Sequence, residues 1–233
     1  LIEIENDGDG PESAVAQIVD LLNAELGEGT YAYISDPEGY ELPEKNDEGG
    51  DAIKQTIIYR PAAVQPVGDS VTTVEHPFDI RRPSMIQTFE EVATGERFTV
   101  VVNHFKSKGC TGARGADGDL GDGQSCFNGE RTLASQTLLD FLATDPTGSG
   151  DPDVLFIGDL NAYAQEDPIH VLRQAGYTDL LHAFGTGNVY SYVYMGEAGV
   201  LDHALASESL LDQVTGATVW HINADEPRSL DYN

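Results

Sequence analysis

The sequence has few basic residues. Lys and Arg number 12 against 40 Asp and Glu, which gives a formal net charge of −28 at pH 7. This charge excludes proteins that hold nucleic acid on a broad basic face. Either the ligand is not a polyanion, or cations and a few local arginines supply the positive charge. An acidic, Lys-poor surface also predicts a saline habitat, and activity that is constant from low to ~1 M salt would contradict that prediction.

Long apolar segments are also missing. Hydrophobic residues make up 40% of the 233 residues, and no run approaches the ~18 residues of a membrane helix. A chain of this length can bury a sizeable core as one domain, and we expect no membrane partner. We find no signal peptide. The sequence opens without Met on Leu1-Ile-Glu-Ile-Glu, as a processed or excised piece would.

Cysteine is rare as well. Cys110 and Cys126 bracket a loop rich in Gly and Asp, and nothing in that loop could form a core. A covalent link would hold such a loop, and closure at this size contributes ~3 kcal/mol in the chain-entropy picture. No His or Cys partner has zinc-finger spacing. We therefore predict a Cys110–Cys126 disulfide and a secreted or cell-surface location, with two free thiols as the alternative.

The apolar pattern predicts a layered α/β domain. Helices are predicted at 11–26, 130–143 and 168–176, from apolar faces at helical spacing. Residues 62–80 are predicted as a loop with a short strand. Further strands are predicted at 1–5, 31–34, 55–59, 85–89, 98–103, 154–159, 200–206 and 217–221. Strands that alternate with helices, with some hairpins, indicate mixed sheets covered by helices.

Four of these strands end in polar residues suited to catalysis. The residues are Glu3, Asn103, His104, Lys106, Asp159, Asn161, Asp202 and His203. Asp159 and Asn161 lie two apart after the apolar run 154–157, so they should point the same way. A carboxylate for a metal, an amide beside a phosphate and a histidine for proton transfer suit metal-assisted hydrolysis of a phosphodiester. The alternative for 158–161 is a strand that ends in an Asx turn.

Basic residues cluster in one part of the chain. Seven of the twelve lie between Arg81 and Arg131. A local positive field on an acidic body is what an anion site requires. Chance clustering on a solvated face is the alternative.

In order and context, four motifs resemble the endonuclease/exonuclease/phosphatase superfamily. They are Leu-Ile-Glu, Asn-His-Phe-Lys-Ser-Lys, Gly-Asp-Leu-Asn-Ala and Leu-Asp-His-Ala-Leu. The cysteine loop and Tyr190-Ser-Tyr-Val are similar to the branch of large secreted bacterial extracellular nucleases. The resemblance covers nearly the whole chain. It implies a deoxyribonuclease-like sandwich of two mixed β-sheets flanked by helices.

The resemblance also implies roles for individual residues. Glu3 would bind the metal, with Glu5 as the weaker candidate, and the cofactor would be Mg²⁺, Ca²⁺ or Mn²⁺. Asp159 and Asn161 would orient the attacking water and the scissile phosphate, and Asn161 would also bind substrate. His104 would lie near the leaving group or bind phosphate. Asp202 would orient a catalytic histidine. Arg81, Arg82 and Lys106 would contact the phosphates of the substrate.

Two departures from the family pattern concern the ends of the chain. The family begins one strand earlier and ends in a Ser-Asp-His segment, and this sequence has neither. We therefore expect one domain over 1–233, truncated at both ends, and inactive as a fragment. His203 follows Asp202 on a strand, where neighbours point to opposite faces, so we do not expect it to replace the missing base.

The sequence leads us to expect a secreted bacterial enzyme that hydrolyses DNA in preference to RNA. One alternative is a phospholipid or inositol-phosphate phosphodiesterase of the same fold. That function would need an exposed aromatic or aliphatic hairpin, and we identify none in the sequence. Another alternative is a non-catalytic, cation-dependent surface module. Tyr190, Tyr192, Tyr194 and Trp220 are predicted to pack in the core or at its rim rather than to stack on bases.

Overall fold

A computed structural model describes residues 1–37, 51–79, 82–221 and 224–225. The elements of this part of the chain follow in sequence order. They are β1 (Ile4–Glu5), α1 (Ala14–Leu26), β2 (Ala32–Tyr33), β3 (Ile53–Lys54), β4 (Ile58–Tyr59), β5 (Val64–Val71), β6 (Met85–Glu91), β7 (Arg97–His104), a 3-10 helix (Gly115–Asp117), α2 (Asn128–Leu142), β8 (Val154–Asp159), α3 (Asp167–Gln174), β9 (Thr178–Asp179), α4 (Leu180–Phe184), β10 (Tyr192–Tyr194), β11 (Glu197–Gly199), β12 (Asp202–Ala206) and α5 (Glu208–Leu211).

The central element is a six-stranded mixed sheet in the order β5-β6-β7-β8-β12-β9. β7 and β8 pair in parallel, because α2 carries the chain back between them, and the other pairs are antiparallel. The Val100-Val101-Val102 run of β7 is buried on both faces of this sheet. The sequence of a central strand whose two faces are both covered is typically a continuous run of apolar residues.

Two hydrophobic clusters cover the two faces of the sheet. On one face, Val101 and Phe156 pack with α2 and α3 through Leu138 and Leu172. On the other face, a second cluster packs against the segments that carry β1–β4; its buried members are Ile34, Ile57, Met85, Phe89, Val100 and Val102. The sheet therefore lies between α2 and α3 on one side and a second β layer on the other.

The second β layer consists of two antiparallel pairs, β1–β3 and β2–β4. Both pairings continue into the segment between β3 and β4. Thr56 N donates to Leu1 O at 3.0 Å, and Ile34 N donates to Ile57 O at 2.9 Å. α1 contacts β1 and β2. The layers thus run helix, sheet, sheet, helix, and the predicted α/β layered fold is confirmed. The second sheet is antiparallel in the described residues, whereas we expected two mixed sheets.

Several local predictions need correction. β5 is an eight-residue strand where a loop with a short strand was predicted, and residues 217–221 form no strand. β10 and β11 form a hairpin with exposed side chains at Tyr192, Tyr194 and Met195. The expectation that the chain carries no exposed aromatic hairpin was therefore wrong. Trp220 is 85% exposed and is not a core residue.

The cysteine loop agrees with one further expectation. Cys110 and Cys126 form a disulfide with a Cα–Cα distance of 5.2 Å, as predicted from the composition of the loop. Within the described residues, no helix has both the length and the apolar content needed to cross a bilayer.

Candidate active site at the edge of the six-stranded sheet

Three of the predicted site residues lie side by side at one end of the sheet. His104 on β7 and Asp202 on β12 are both register partners of Asp159 on β8. Register partners project from the same face of a sheet. Glu3 reaches this edge from the segment before β1, and its Oε1 lies 3.6 Å from His104 Nε2. The fold therefore brings four residues from distant parts of the sequence to one edge.

Asp159 and Asn161 meet through a tight turn rather than through strand alternation. β8 ends at Asp159, and Asn161 has a positive φ of 47°, a conformation that Asn tolerates better than most residues. The Asn161 backbone N–H donates to Asp159 Oδ1 at 2.7 Å, which closes an Asx turn. The Asn161 amide also donates to Asp159 Oδ2 at 3.0 Å and to the Phe105 carbonyl at 3.1 Å. The alternative of an Asx turn was thus correct, and this turn holds both polar side chains together.

The glycine before Asp159 is required by close packing between β7 and β8. Gly158 has a φ of 126°, and a Cβ at this position would lie 2.0 Å from the Asn103 carbonyl oxygen. Any side chain there would push the two parallel strands apart. Asn103 itself is fully buried and accepts a hydrogen bond from Ser84 Oγ at 2.7 Å. Asn103 therefore supports the strand ends from inside the core.

The Asp159 carboxyl is half-buried among other carboxylates, which affects its pKa. Its pKa is raised to about 7, first by burial, then by the neighbouring Asp202 carboxylate and by Glu3, while the hydrogen bond from the Asn161 backbone opposes the rise. A like charge nearby disfavours the ionised form of a carboxyl. The edge therefore gathers more negative charge than its own residues offset.

His104 and Arg82 form the basic side of this edge. Arg82 Nη1 contacts both ring nitrogens of His104 and lies 3.0 Å from Nε2, and Arg82 Nε pairs with Asp51 Oδ2 at 2.9 Å. Burial, followed by the Arg82 charge, lowers the pKa of His104 to about 4, so the imidazole is neutral at neutral pH. Its Nε2 lies 3.6 Å from Glu3 and 3.7 Å from Asp159, beyond hydrogen-bond distance. Arg82 therefore supplies the positive charge next to the carboxylates.

The other predicted basic residues have different positions. Arg81 lies outside the described residues. Lys106 lines a small depression with Arg82 and His104, and its Nζ lies 4.6 Å from the centre of the Phe127 ring. Arg131 is fully buried, and Lys108 is half-buried in an ion pair with Glu166. Arg97 is partly exposed and Arg114 is exposed. The cluster of basic residues in the sequence thus contains an edge group, an internal group and separate surface residues.

The two residues of the Asp-His pair on β12 have different surroundings. His203 has no exposed side-chain surface; its Nε2 contacts the Ala162 carbonyl at 2.8 Å, and its Nδ1 lies 3.4 Å from Asp179 Oδ2. Asp202 is held at the edge, because its backbone N–H donates to Ser191 Oγ at 3.1 Å. Sequence reasoning missed Ser191, Asp179 and Asp51. Ser191 lies in the Tyr-Ser-Tyr segment that carried part of the family resemblance, which was the available signal.

The donor chemistry of this edge fits a divalent cation. The Glu3 side chain is 44% exposed, and Asp159 and Asp202 share its edge. Carboxylate oxygens are preferred ligands of Mg²⁺ and Ca²⁺, and a cation would offset the charge that raises the pKa of Asp159. Nowhere in the part of the chain that the structure describes do three acidic, His or Cys side chains already converge at metal-binding spacing. The edge therefore supplies candidate ligands rather than a finished coordination shell.

A layered α/β fold with carboxylate, amide and imidazole groups at adjacent strand ends has the equipment of a phosphoester hydrolase. The chain belongs to the Endonuclease/Exonuclease/phosphatase family, whose family model matches residues 17–225. This match confirms the resemblance seen in the four motifs. Glu3 lies before the matched residues. Its position at the sheet edge, 3.6 Å from His104, supports it as a candidate metal ligand. No curated protein matches this chain.

Solved structures show the same fold at low sequence identity. The human Nocturnin catalytic domain with bound sulfate is 17% identical, with a TM-score of 0.53, over 82% of this chain and 66% of that chain. An endonuclease/exonuclease/phosphatase from Bacteroides vulgatus is 14% identical, with a TM-score of 0.56, over 89% and 71%. A mannosyl-6-phosphatase from Bacteroides thetaiotaomicron is 14% identical, with a TM-score of 0.53, over 82% and 68%. This chain thus spans about two thirds of the length of these proteins.

Proposed function

We propose that this chain is the hydrolytic domain of a secreted, metal-dependent nuclease that cleaves phosphodiester bonds in extracellular DNA. The observation that carries the proposal is the single edge formed by His104, Asp159 and Asp202 on three neighbouring strands, with Glu3 beside them. Membership of a hydrolytic family supports the reaction type. The disulfide supports an oxidising, extracellular setting.

Each residue of the edge has a proposed task. Glu3, with Asp159 and Asp202, would hold Mg²⁺, Ca²⁺ or Mn²⁺, and the cation would supply Lewis-acid activation of the phosphate. Asp159 and Asn161 orient the attacking water and the scissile phosphate, since the Asx turn fixes both side chains. As the family resemblance implies, Asp202 would orient a histidine that accepts the proton of the attacking water; His203 is buried against Ala162 and Asp179 and is not that histidine.

The basic side of the edge would bind the substrate. Arg82 offsets the charge of the phosphate. Burial, and then the Arg82 charge, lower the pKa of His104, so the neutral imidazole can serve as a hydrogen-bond partner near the leaving group. Lys106, in the same depression, contacts a neighbouring phosphate. The net charge of −28 makes binding of a polyanion dependent on added cations. We propose DNA as the preferred nucleic acid, with RNA as a weaker substrate.

The test is cleavage of plasmid DNA and of RNA with Mg²⁺, with Ca²⁺ and with a chelator. The longest natural form of the protein is compared with residues 1–233 alone, and Asp159→Ala and Asn161→Ala are made in both. We expect metal-dependent cleavage by the longest natural form and none by residues 1–233 alone, and both substitutions should remove that cleavage while circular dichroism stays unchanged. Normal turnover in both variants would contradict the assignment. Cation-dependent folding without hydrolysis would indicate the non-catalytic surface module instead.

One observation favours a second candidate function. The exposed hairpin β10–β11 is the feature expected of a phosphodiesterase that acts on phospholipids. The net charge of −28 opposes it, because anionic lipid surfaces repel such a protein. Release of phosphorylated headgroup from phosphatidylcholine vesicles, without cleavage of DNA, would favour this candidate over the nuclease.

A further inference from the structure

The hairpin β10–β11 carries two tyrosine rings on one face. Tyr192 and Tyr194 lie two apart on β10, so their side chains project to the same side. The ring planes are 13° apart, and the ring centroids are 6.4 Å apart. The residues are 43% and 47% exposed, and Met195 at the tip is 82% exposed. Two nearly parallel rings thus face solvent, where apolar surface is normally withdrawn from water.

The face that carries these rings adjoins the candidate active site. Gly199 is the register partner of Tyr192, and a Cβ at Gly199 would lie 2.4 Å from the Tyr163 ring. Register partners share a face, so Tyr163 lies on the ring-bearing side of the hairpin. Burial, Glu166 and then Tyr192 raise the pKa of the Tyr163 phenol, which agrees with this proximity. Tyr163 follows Asn161 by two residues, and Lys108 Nζ, which pairs with Glu166, lies 5.1 Å from the centre of the Tyr163 ring. The tyrosine face therefore lies between the Asx turn of the site and this ion pair.

The base of the hairpin is tied to the same edge. Ser191 Oγ, just before β10, accepts hydrogen bonds from the backbone N–H groups of Leu201 (3.0 Å) and Asp202 (3.1 Å). The hairpin is therefore fixed against the strand that delivers Asp202. A ligand group that contacts Tyr192 would be held close to a phosphate at the sheet edge.

The chemistry of this face selects a ring rather than a phosphate. Glu197 is the register partner of Tyr194 and places a carboxylate on the same face, which repels anionic groups. Aromatic rings attract planar, uncharged groups, and base stacking on them tolerates any base sequence. Bases within a duplex already stack on each other, so a free surface of this kind suits an unpaired base.

We propose that Tyr192 and Tyr194 form a stacking surface for an unpaired nucleobase next to the scissile phosphate. This inference rests on the proposed nuclease function and narrows its substrate to single-stranded or locally opened strands. It also replaces the expectation that these tyrosines only pack at the rim of the core.

The test compares a labelled oligothymidine with a tetrahydrofuran abasic strand of the same length, which keeps the phosphates and lacks the bases. The variants are Tyr192→Ala/Tyr194→Ala and the ring-retaining Tyr192→Phe/Tyr194→Phe. Leu21→Ala, at a 69% exposed position on α1, is the control for loss of exposed apolar surface. Binding is measured by fluorescence anisotropy, and cleavage of each strand by gel analysis.

We expect the alanine pair to weaken binding of oligothymidine by about tenfold and to leave binding of the abasic strand unchanged. The phenylalanine pair and Leu21→Ala should behave as wild type. Equal losses on both strands, or no loss on oligothymidine, would overturn the inference. So would loss of binding to phosphatidylcholine vesicles in the alanine pair without any effect on the strands, since that result assigns the hairpin to lipid.

Failure of the proposed function is a separate result. If wild type cleaves neither strand under any metal condition, the nuclease proposal fails, while the anisotropy comparison still tests stacking. Base-dependent binding that the alanine pair loses would then support the stacking surface in a binding protein. Normal cleavage with equal binding of both strands would overturn the stacking surface and leave the nuclease intact.

Discussion

Buried charges occur in two neighbouring regions of this molecule, and their surroundings differ. The first region, the ion cluster of Lys108, Arg131 and Glu166, lies beneath the disulfide loop. Lys108 Nζ contacts both carboxylate oxygens of Glu166 at 2.5 and 2.7 Å. Arg131 is fully buried and donates to the carbonyl oxygens of Lys106, Gln124 and Cys126 at 2.8–3.3 Å. The Glu166 carboxylate and the three carbonyl oxygens thus offset the positive charges of Lys108 and Arg131 within the protein.

The second region is the sheet edge of His104, Asp159, Asn161 and Asp202, where the Arg82 cation lies beside a larger number of carboxylates. Burial, and then the carboxylate of its strand neighbour Asp202, raise the pKa of Asp159 to about 7. Internal pairing serves the fold, because an unpaired buried charge costs several kcal/mol. An excess of carboxylates instead indicates a site for a positively charged ligand, since residues with perturbed pKa values concentrate at functional sites. The difference separates structural from functional charge in this chain.

Substitution at the sheet edge should have the largest effect, and it should fall on activity. Asp159→Asn removes the buried negative charge and keeps the size of the side chain. We expect DNA cleavage to fall by about 10²–10⁴-fold, as for loss of a group that handles the proton or the water. Thermal stability should change little, because relief of the repulsion from Asp202 and Glu3 opposes the loss of the hydrogen bond that Asp159 Oδ2 accepts from the Asn161 amide. Cleavage rates and melting temperatures of the same preparation check both expectations. A clear drop in stability would contradict the assignment of Asp159 to function rather than to the stability of the fold.

The ion cluster should respond in the opposite way. Arg131→Met removes the fully buried guanidinium and leaves three carbonyl groups and Glu166 without it. We expect a loss of about 3–5 kcal/mol in the free energy of unfolding, measured by urea denaturation. Arg97→Met is the matched control, because the Arg97–Glu90 pair is about 40% exposed on both sides and such pairs contribute at most about 1 kcal/mol. Equal effects in the two variants would show that Arg131 is not the structural charge we infer.

The disulfide loop above the ion cluster should contribute a smaller amount. Cys110→Ser/Cys126→Ser opens the link across 16 positions of sequence. We expect about 3 kcal/mol less stability in the chain-entropy picture. Urea denaturation of the variant, beside wild type with and without reductant, measures this loss. Stability that does not respond to reductant would mean that hydrogen bonds such as Lys108 Nζ to Gln124 O at 3.0 Å hold the loop without the disulfide.

The layered fold was predictable because its signals are local. The three long helices have apolar faces at helical spacing, and β7 and β8 are continuous apolar runs, so their existence follows from short windows of sequence. The errors concern short elements and β5, an eight-residue strand that contains Pro66, Gly68 and Asp69. β9, α4 and α5 have two to five residues, too few for a period to show. Residues 217–221 alternate like a strand but have no pairing partner in the described residues, and only the tertiary structure determines pairing.

Polar residues that directly follow an apolar strand could be chosen from the sequence, as Glu3, His104, Asp159 and Asp202 were. Strand register brings the last three together, and Glu3 lies 3.6 Å from His104, while the catalytic roles of all four stay predictions. The partners from other segments could not be found, since nothing local marks them. Asp51 pairs with Arg82 from a separate part of the sequence. The exposure of the β10 tyrosines depends on the hairpin turn, and the sequence shows only that aromatic residues alternate there.

Cation binding should give the smallest effect and should distinguish the sheet edge from the ion cluster. A ligand that binds only the folded state at ten times its Kd stabilises it by about 1.4 kcal/mol. We expect Mg²⁺ to raise the melting temperature of wild type and of Arg131→Met, but not of Glu3→Gln. Glu5→Gln is the matched control, because Glu5 is an exposed glutamate two residues away on β1. If Glu3→Gln responds to Mg²⁺ as wild type does while Glu5→Gln does not, the metal lies on the other side of β1. The unbalanced charge of Asp159 would then require another explanation.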